Sequence, residues 1–282
     1  MKNNNLIKLL NQKKFNDFNK TIKKYTEENN YYEKNIEKNN YYEKINFIDK
    51  ILWINLDKSN QRNNYMTSIL KNINIPNIRI PAIDGKMEDI MKYINIVDFK
   101  FKCGNYCITN IEIACTLSHL KAINELKNIE GNYFLILEDD ISFENMKYIP
   151  YDLETIIKDS PEFDVLQICK TIMDHKNFNL IKDKYEKWNH MYNCTGAYII
   201  SRNGINKIIE KYNFKNNVLQ NKLSEINDSD SLIYECCNAY TYKYNVISTL
   251  DEESTIHSNH LKGHRRNTII QKNIIFKDFY IV

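Results

Sequence analysis

The chain has 282 residues, 43% of them hydrophobic and 27% charged, with a net charge of +3 at neutral pH. This is enough apolar content for one large cored domain or two small ones, and too little positive charge to argue for nucleic acid as the main partner. The opening residues lack a long apolar segment, no run approaches the ~18 apolar residues of a membrane span, and the seven cysteines are scattered without a CxxC pair. The expected setting is therefore cytoplasmic, with reduced thiols and no membrane span.

Residues 1–50 contain neither Gly nor Pro and carry 11 lysines against 7 acids. The hexapeptide Asn-Asn-Tyr-Tyr-Glu-Lys occurs at 29–34 and again at 39–44. Lys and Glu without helix breakers favour helix. The segment is read as a polar helical extension, which either packs on the body or serves as a docking or homo-oligomerising arm.

From residue 51 the pattern alternates between strand and helix. Ile51–Leu56 predicts a strand. Ser59 to about Ile73 predicts a helix with Tyr65, Met66, Ile69 and Leu70 on one face. Asn77–Ile83 predicts a second strand, followed by an irregular loop over 85–108. Thr109-Asn110-Ile111-Glu112 has the form of a capping box and opens a helix to about Ile129, ended by Gly131. Further strands are expected at Tyr133–Leu137, Phe163–Ile168, Ala197–Ser201 and Tyr244–Ser248. Helices are expected from about Asn203 and over Ser229–Tyr240. Such alternation predicts an α/β domain with a mostly parallel central sheet over 51–260, followed by a tail at 261–282.

The densest chemical signal is Tyr133-Phe-Leu-Ile-Leu-Glu138-Asp139-Asp140. An unbroken apolar run suits a strand buried on both faces, and ligands bind at the carboxyl ends of such strands. Acids placed there can hold a hard divalent cation and, through it, a phosphate. The structural alternative is a solvated loop or a helix N-cap. Neither GxGxxG nor GxxxxGK[ST] is present, so nucleotide phosphates would need a metal or basic side chains.

The ordered series Ile54-Asn55-Leu56-Asp57 with Arg62, Pro81-Ala82-Ile83-Asp84-Gly85, Ala114-Cys115-Thr116-Leu117-Ser118-His119, Leu135–Asp140, Gly196–Ser201, Asp228-Ser229-Asp230 and Ser254-Thr255-Ile256-His257 resembles glycosyltransferase family 25. That family includes lipopolysaccharide galactosyltransferases and the collagen β-galactosyltransferase type. The likeness covers roughly residues 51–258. Ala114 stands where the family often has Gly.

The resemblance implies a GT-A (Rossmann-like) fold, a UDP-sugar donor and a divalent metal, Mn2+ or Mg2+. Glu138 and Asp140 would be the outer acids of a DxD-type signature, with Asp140 the direct ligand, Asp139 between them and His257 completing the shell. Asn55, Leu56, Arg62 and Asp84 would take the donor base and ribose. Ser118 and His119 would lie beneath the donor site. Asp230, or else Asp228, would be the base that takes the acceptor's proton, as an inverting transferase requires. For these residues the structural readings are turn chemistry at Asn55 and Asp57, a surface Arg62, a satisfied helical His119, and an N-cap at Asp228 or Ser229. The basic group Lys262, His264, Arg265 and Arg266 either closes over the diphosphate or forms a solvated tail.

The resulting expectation is a metal-dependent, inverting hexosyltransferase acting on a hydroxyl of a glycan or of hydroxylysine. The rival readings are an inactive GT-A-like binding module and a metal-dependent nucleotide phosphohydrolase. Retention of Glu138, Asp140, Asp228, Asp230 and His257 speaks against the first. The lack of an Asp nucleophile in the usual Gly-Thr context speaks against the second.

Overall fold

The computed structural model of the protein describes residues 19–34, 41–94, 100–101, 109–172, 182–212, 214–215, 218–219, 225–226, 228–250 and 261–280. A helix over 19–34 (α1) precedes strand β1 (Lys50–Asn55), helix α2 (Asn60–Leu70), strand β2 (Asn77–Pro81) and helix α3 (Asn110–Glu125). Then come β3 (Tyr133–Glu138), α4 (Leu153–Asp159), β4 (Val165–Gln167), β5 (Tyr185–Lys187), β6 (Ala197–Ser201), α5 (Arg202–Tyr212), α6 (Ser229–Tyr234), β7 (Ala239–Tyr242) and α7 (Leu261–Phe279).

The seven strands form one mixed sheet in the order β2-β1-β3-β6-β4-β7-β5. Strands β2, β1, β3, β4 and β7 run one way, while β6 and β5 run against them. This is the mostly parallel, Rossmann-like arrangement of a GT-A fold.

Alternation along β1 and β3 explains why the sheet is buried on both faces. Ile51, Trp53, Leu135 and Leu137 share one core with Met66 and Leu70 of α2 and with Ile275 and Phe276 of α7. Leu52, Ile54, Phe134 and Ile136 share the other with Leu117, Leu120 and Ile123 of α3 and Ile205 of α5. The register pairs Ile54 with Glu138 and Asn55 with Pro81. The carboxyl ends of the three strands are therefore nearly flush, and this edge carries the site.

Three expectations need correction. The helix read over Ser229–Tyr240 ends at Tyr234, and Ala239–Tyr242 forms β7 instead, paired with β4 through Ala239 and Val165. Ala-Tyr-Thr-Tyr supplies β-branched and aromatic side chains that suit a pleated surface better than a helix. No strand runs over Tyr244–Ser248. There the backbone N–H groups of Val246 and Ile247 donate to the Ile168 carbonyl, and Ser248–Thr249 pairs with Ile141–Ser142. The third correction concerns residues 261–282, expected as a tail, where Leu261–Phe279 forms α7 and buries Ile270, Ile275 and Phe276. Apolar residues at 270, 274, 275 and 276 give it an inward stripe that its lysines and arginines mask in composition.

The described part of the N-terminal extension packs along α7. Asn29 Nδ2 donates to the Ile269 carbonyl at 2.9 Å, and Asn273 Nδ2 donates to Glu28 at 2.9 Å. Lys272 pairs with Glu33 at 2.7 Å, and the Tyr32 ring meets Phe276 with centroids 5.3 Å apart. Among the described residues no helix is long and apolar enough to cross a membrane.

Phe276 joins α7, α1 and the core at one point, since its ring also meets Tyr148 at 4.9 Å. Phe276→Ala is expected to lower unfolding free energy by about 3–5 kcal/mol, the usual loss for a buried Phe, read as a fall in the urea midpoint with an unchanged slope.

Candidate active site

Strand β3 delivers Glu138, Asp139 and Asp140 in succession to the edge where β1 and β2 also end. Helix α2 follows β1 after a short turn, and this places Arg62 over the acids. Arg62 Nη1 donates to Asp139 Oδ1 at 2.9 Å and to Asp140 Oδ2 at 3.3 Å. Asn55 Nδ2 donates to the other Asp139 oxygen at 2.6 Å, and Arg79 Nε donates to Asn55 Oδ1 at 2.8 Å. Asp139 thus has both carboxylate oxygens occupied by protein donors, and it serves as the anchor of the cluster.

Glu138 points the other way. Its Oε1 meets His119 Nε2 at 3.2 Å and accepts a hydrogen bond from Thr195 Oγ1 at 3.0 Å. His119 is fully buried on α3, and its Nδ1 meets the Tyr198 hydroxyl at 3.1 Å. The helix that carries it opens on the expected capping box, with Thr109 and Glu112 exchanging bonds. Ser118, one residue earlier, accepts from the Ile83 backbone N–H at 2.9 Å and donates to the Ala114 carbonyl at 2.6 Å. That bond ties the segment after β2 to α3. Gly85 makes the same approach closer still, since a Cβ there would stand 2.4 Å from the Asn110 carbonyl oxygen.

Between these walls lies a cavity of about 470 Å3. Its lining includes Asn55, Leu56, Arg62, Asp84, Ser118, His119, Glu138, Asp139 and Asp140, all of which the sequence had marked. Lys58, Lys86 and Cys115 also line it and had not been marked as site residues. Lys58 forms an ion pair with Asp84 at the rim. The only sequence sign of Lys58 was its place directly after Asn55-Leu56-Asp57, in the turn that follows a strand of a parallel sheet.

Asp228 and Asp230 are not part of that lining. Asp228 caps α6, its Oδ1 accepting from the Ser231 N–H at 2.8 Å, as the structural reading foresaw. Asp230 Oδ2 accepts from the Cys194 N–H at 3.0 Å. Asp230 is linked to the acid cluster through its neighbour Ser229, whose hydroxyl lies 3.0 Å from Thr195 Oγ1, itself bonded to Glu138. Thr195 and Ser229 were missed as site residues. The signal for Thr195 was its place just before the Gly-Ala-Tyr strand antiparallel to β3. His257 lies outside the described residues.

The acids differ in protonation for physical reasons. Burial pushes the Glu138 carboxyl up, but the His119 and Thr195 hydrogen bonds and the His119 and Arg62 charges outweigh it and hold it below the ordinary value. Burial, together with the neighbouring Glu138 charge, pushes Asp140 up to about 7 despite Arg62. Burial likewise raises Asp230 to about 7, against the Cys194 N–H and with the Asp228 and Glu138 charges adding to it. Burial lifts Asp139 too, only partly offset by Asn55 and Arg62.

The buried acid cluster stands at the carboxyl edge of the strands of a mixed α/β domain, the place where such sheets bind their ligands. Comparison with known sequences makes the assignment specific. The profile of glycosyltransferase family 25 (LPS biosynthesis protein) matches residues 48–219, and the chain belongs to this family. It is similar to procollagen galactosyltransferase 2 of Homo sapiens and of Mus musculus, each 27% identical over 176 residues. Those alignments cover 57% of this chain and 27% of each relative. A glycosyltransferase 25 family member of Drosophila pseudoobscura pseudoobscura is 30% identical over 103 residues, 34% of this chain and 16% of that one. The chain thus matches about a quarter or less of the length of these curated relatives. The solved structure of the inositol-1-phosphate CTP transferase from T. maritima covers 81% of this chain and 97% of its own at 8% identity and a TM-score of 0.34. A likeness that remote carries no argument.

Two outcomes follow from the geometry. Arg62→Ala leaves Asp139 and Asp140 buried without their cation. It is expected to destabilise the fold by about 3–5 kcal/mol; chemical denaturation of the variant and the wild type tests this. Because Asp140 and Asp230 titrate near 7, well above an unfolded Asp, their contribution to stability is complete below about pH 4 and is lost as pH rises through 7. The thermal midpoint of the metal-free chain should fall across that window, and Asp140→Asn should flatten the fall.

Proposed function

We propose that this glycosyltransferase moves a hexose from a UDP-sugar to a hydroxyl of a glycan or of hydroxylysine, with a divalent cation at Glu138 and Asp140 and with inversion at the anomeric carbon. The observation that carries the reading is the asymmetry of the acid cluster. Asp139 is spent on Arg62 and Asn55, whereas Asp140 shares the Arg62 contact, and burial with the Glu138 charge raises its carboxyl to about 7. A hard cation fits such an oxygen donor set and supplies the missing positive charge. Mn2+ or Mg2+ suits it. When bound there, the cation supplies charge neutralisation for the departing diphosphate.

The chain's own residues do the rest. Arg62 and Asn55 fix the direction of the acid loop. Lys58 and Lys86 add positive charge at the cavity rim, where the donor's phosphates would lie. Lys58 exchanges its Asp84 partner for phosphate, which frees Asp84 to accept from the ribose or base. Ser118 and His119 hold the cavity floor. Asp230 takes the proton from the attacking hydroxyl, and its value near 7 is well placed for a base at neutral pH. Asp228 positions it by capping the helix on which it sits. The human and mouse relatives are named for galactose transfer to procollagen, which makes UDP-galactose the first donor to try here.

The test is release of UDP from a panel of UDP-sugars, with Mn2+ and with chelator. Turnover of one donor that disappears with chelator is expected. No turnover together with no thermal shift from UDP plus Mn2+ would sink the reading in favour of a binding module. Asp230→Asn is expected to lower kcat about 10^2–10^4-fold with the donor KM little changed. An equal loss in donor affinity would remove Asp230 from the chemistry.

A further inference from the structure

The cavity floor carries a second set of potential ligands, which shares Glu138 with the proposed cation pair. Cys115 and His119 stand four residues apart on α3, so both side chains project from one face on consecutive turns. Glu138 meets them from the end of β3. The Cys115 Sγ, a ring nitrogen of His119 and a carboxylate oxygen of Glu138 all lie within 4.8 Å of one another. Bond lengths of about 2.0–2.3 Å in a tetrahedral site set ligand-to-ligand spacings of roughly 3.3–3.7 Å. The His119–Glu138 pair, at 3.2 Å, already stands near that spacing, and a side-chain adjustment of about 1 Å at Cys115 would complete the triangle.

The surroundings suit such a site. Tyr198 contacts His119 Nδ1 at 3.1 Å and fixes the ring so that Nε2 faces the triangle, the usual role of an outer partner of a metal-bound imidazole. Thr195 Oγ1 holds Glu138 at 3.0 Å, and Ser229 Oγ lies 3.9 Å from Cys115 Sγ. All three candidate ligands line the donor cavity, which gives an ion an entry path and leaves a fourth position open.

From this geometry we propose that Cys115, His119 and Glu138 form a site for a borderline-soft divalent cation of the Zn2+ class, distinct from the all-oxygen Glu138–Asp140 pair. A thiolate and an imidazole favour Zn2+ over Mn2+ or Mg2+, which prefer oxygen. The two sites share one side chain. An ion on the Cys-His side claims Glu138 and turns it away from Asp140, so Zn2+ acts as an inhibitor that competes with the hard cation. The binding claim rests on α3 and β3 alone; the inhibition claim rests also on the transferase reading.

Co2+ reports the ligand set directly, because thiolate coordination gives an intense near-ultraviolet charge-transfer band and tetrahedral coordination gives strong visible absorption. The full chain, reduced and free of metal, is titrated with Co2+ alone and then with Zn2+. Both bands are expected in the wild type and in Asp140→Asn, and they are expected to vanish on Zn2+ addition. Cys115→Ser should lose the charge-transfer band. Absence of that band in the wild type overturns the proposal. So does its persistence in Cys115→Ser, which would place the ion on other thiols such as Cys169 and Cys194, 3.7 Å apart. If the band forms but no donor turns over, the cation site stands and the transferase reading is the one at fault. Where turnover is seen, Cys115→Ser should raise the Zn2+ concentration for half-inhibition at fixed Mn2+ by at least about 10–100-fold, the loss typical of removing even an outer-shell partner. Unchanged Zn2+ sensitivity would overturn the inhibitory role.

Discussion

The pairing of Arg62 and Asn55 with Asp139 is the contact around which the site is organised. Three carboxyl groups in sequence at the end of a buried strand repel one another, and burial denies them water. One of them has to be neutralised by the protein if the strand is to end there at all. Asp139 is that one. Both its oxygens are taken, by a guanidinium from α2 and an amide from β1, and Arg79 from β2 in turn holds the amide. One acid thereby locks the ends of three adjacent strands and the following helix into a single rim. Because strand residues alternate in direction, Glu138 at the last position of β3 turns away from Asp139 toward α3.

The two neighbours of Asp139 end up in contrasting electrical states. Glu138 faces α3 and finds donors in His119 and Thr195, which favour its charged form. Asp140 faces the cavity with a shared fraction of Arg62 and the repulsion of Glu138, which favours the proton. An acid whose surroundings raise its hold on the proton is a place where a cation binds with a large change in local energy, since binding releases the proton and relieves the repulsion together. A pair of acids pushed apart in pKa by their environments is a recurrent mark of functional sites. Here the separation follows from the partners each acid finds, His119 and Thr195 for Glu138 and a shared Arg62 for Asp140.

Much of this was legible in the sequence. The apolar run ending in Glu-Asp-Asp placed the acids correctly at a strand terminus, because an unbroken run in a chain of alternating strands and helices has few other uses. The order of short motifs was also enough to name the family that the profile match then established. What sequence reasoning missed depended on direction and on distance. That Arg62 braces acids 77 and 78 positions away follows from the turn between β1 and α2, which spacing alone does not fix. Thr195 and Ser229 become neighbours only because β6 runs antiparallel to β3 and brings its start beside Glu138. Helix α7 was lost among its lysines and arginines, and β7 behind a short helix whose cap was the stronger signal.

The link between Glu138 and the proposed base has a local backbone cause. Cys194 has φ 102°, a region that a residue with a side chain seldom occupies and that costs about 1–3 kcal/mol. Three bonds hold it there. Its N–H donates to Asp230, while its carbonyl accepts from the Tyr234 hydroxyl at 2.9 Å and from Gln167 Nε2 at 2.9 Å. The turned backbone presents one face to α6 and sends the next side chain, Thr195, toward Glu138. A relaxed conformation at this residue would separate the two acids' partners, because the N–H on Asp230 and the hydroxyl on Glu138 belong to consecutive residues. The strain therefore fixes how the second acidic pair stands relative to the first. On the proposed mechanism, that relation sets the line between the attacking hydroxyl and the departing diphosphate.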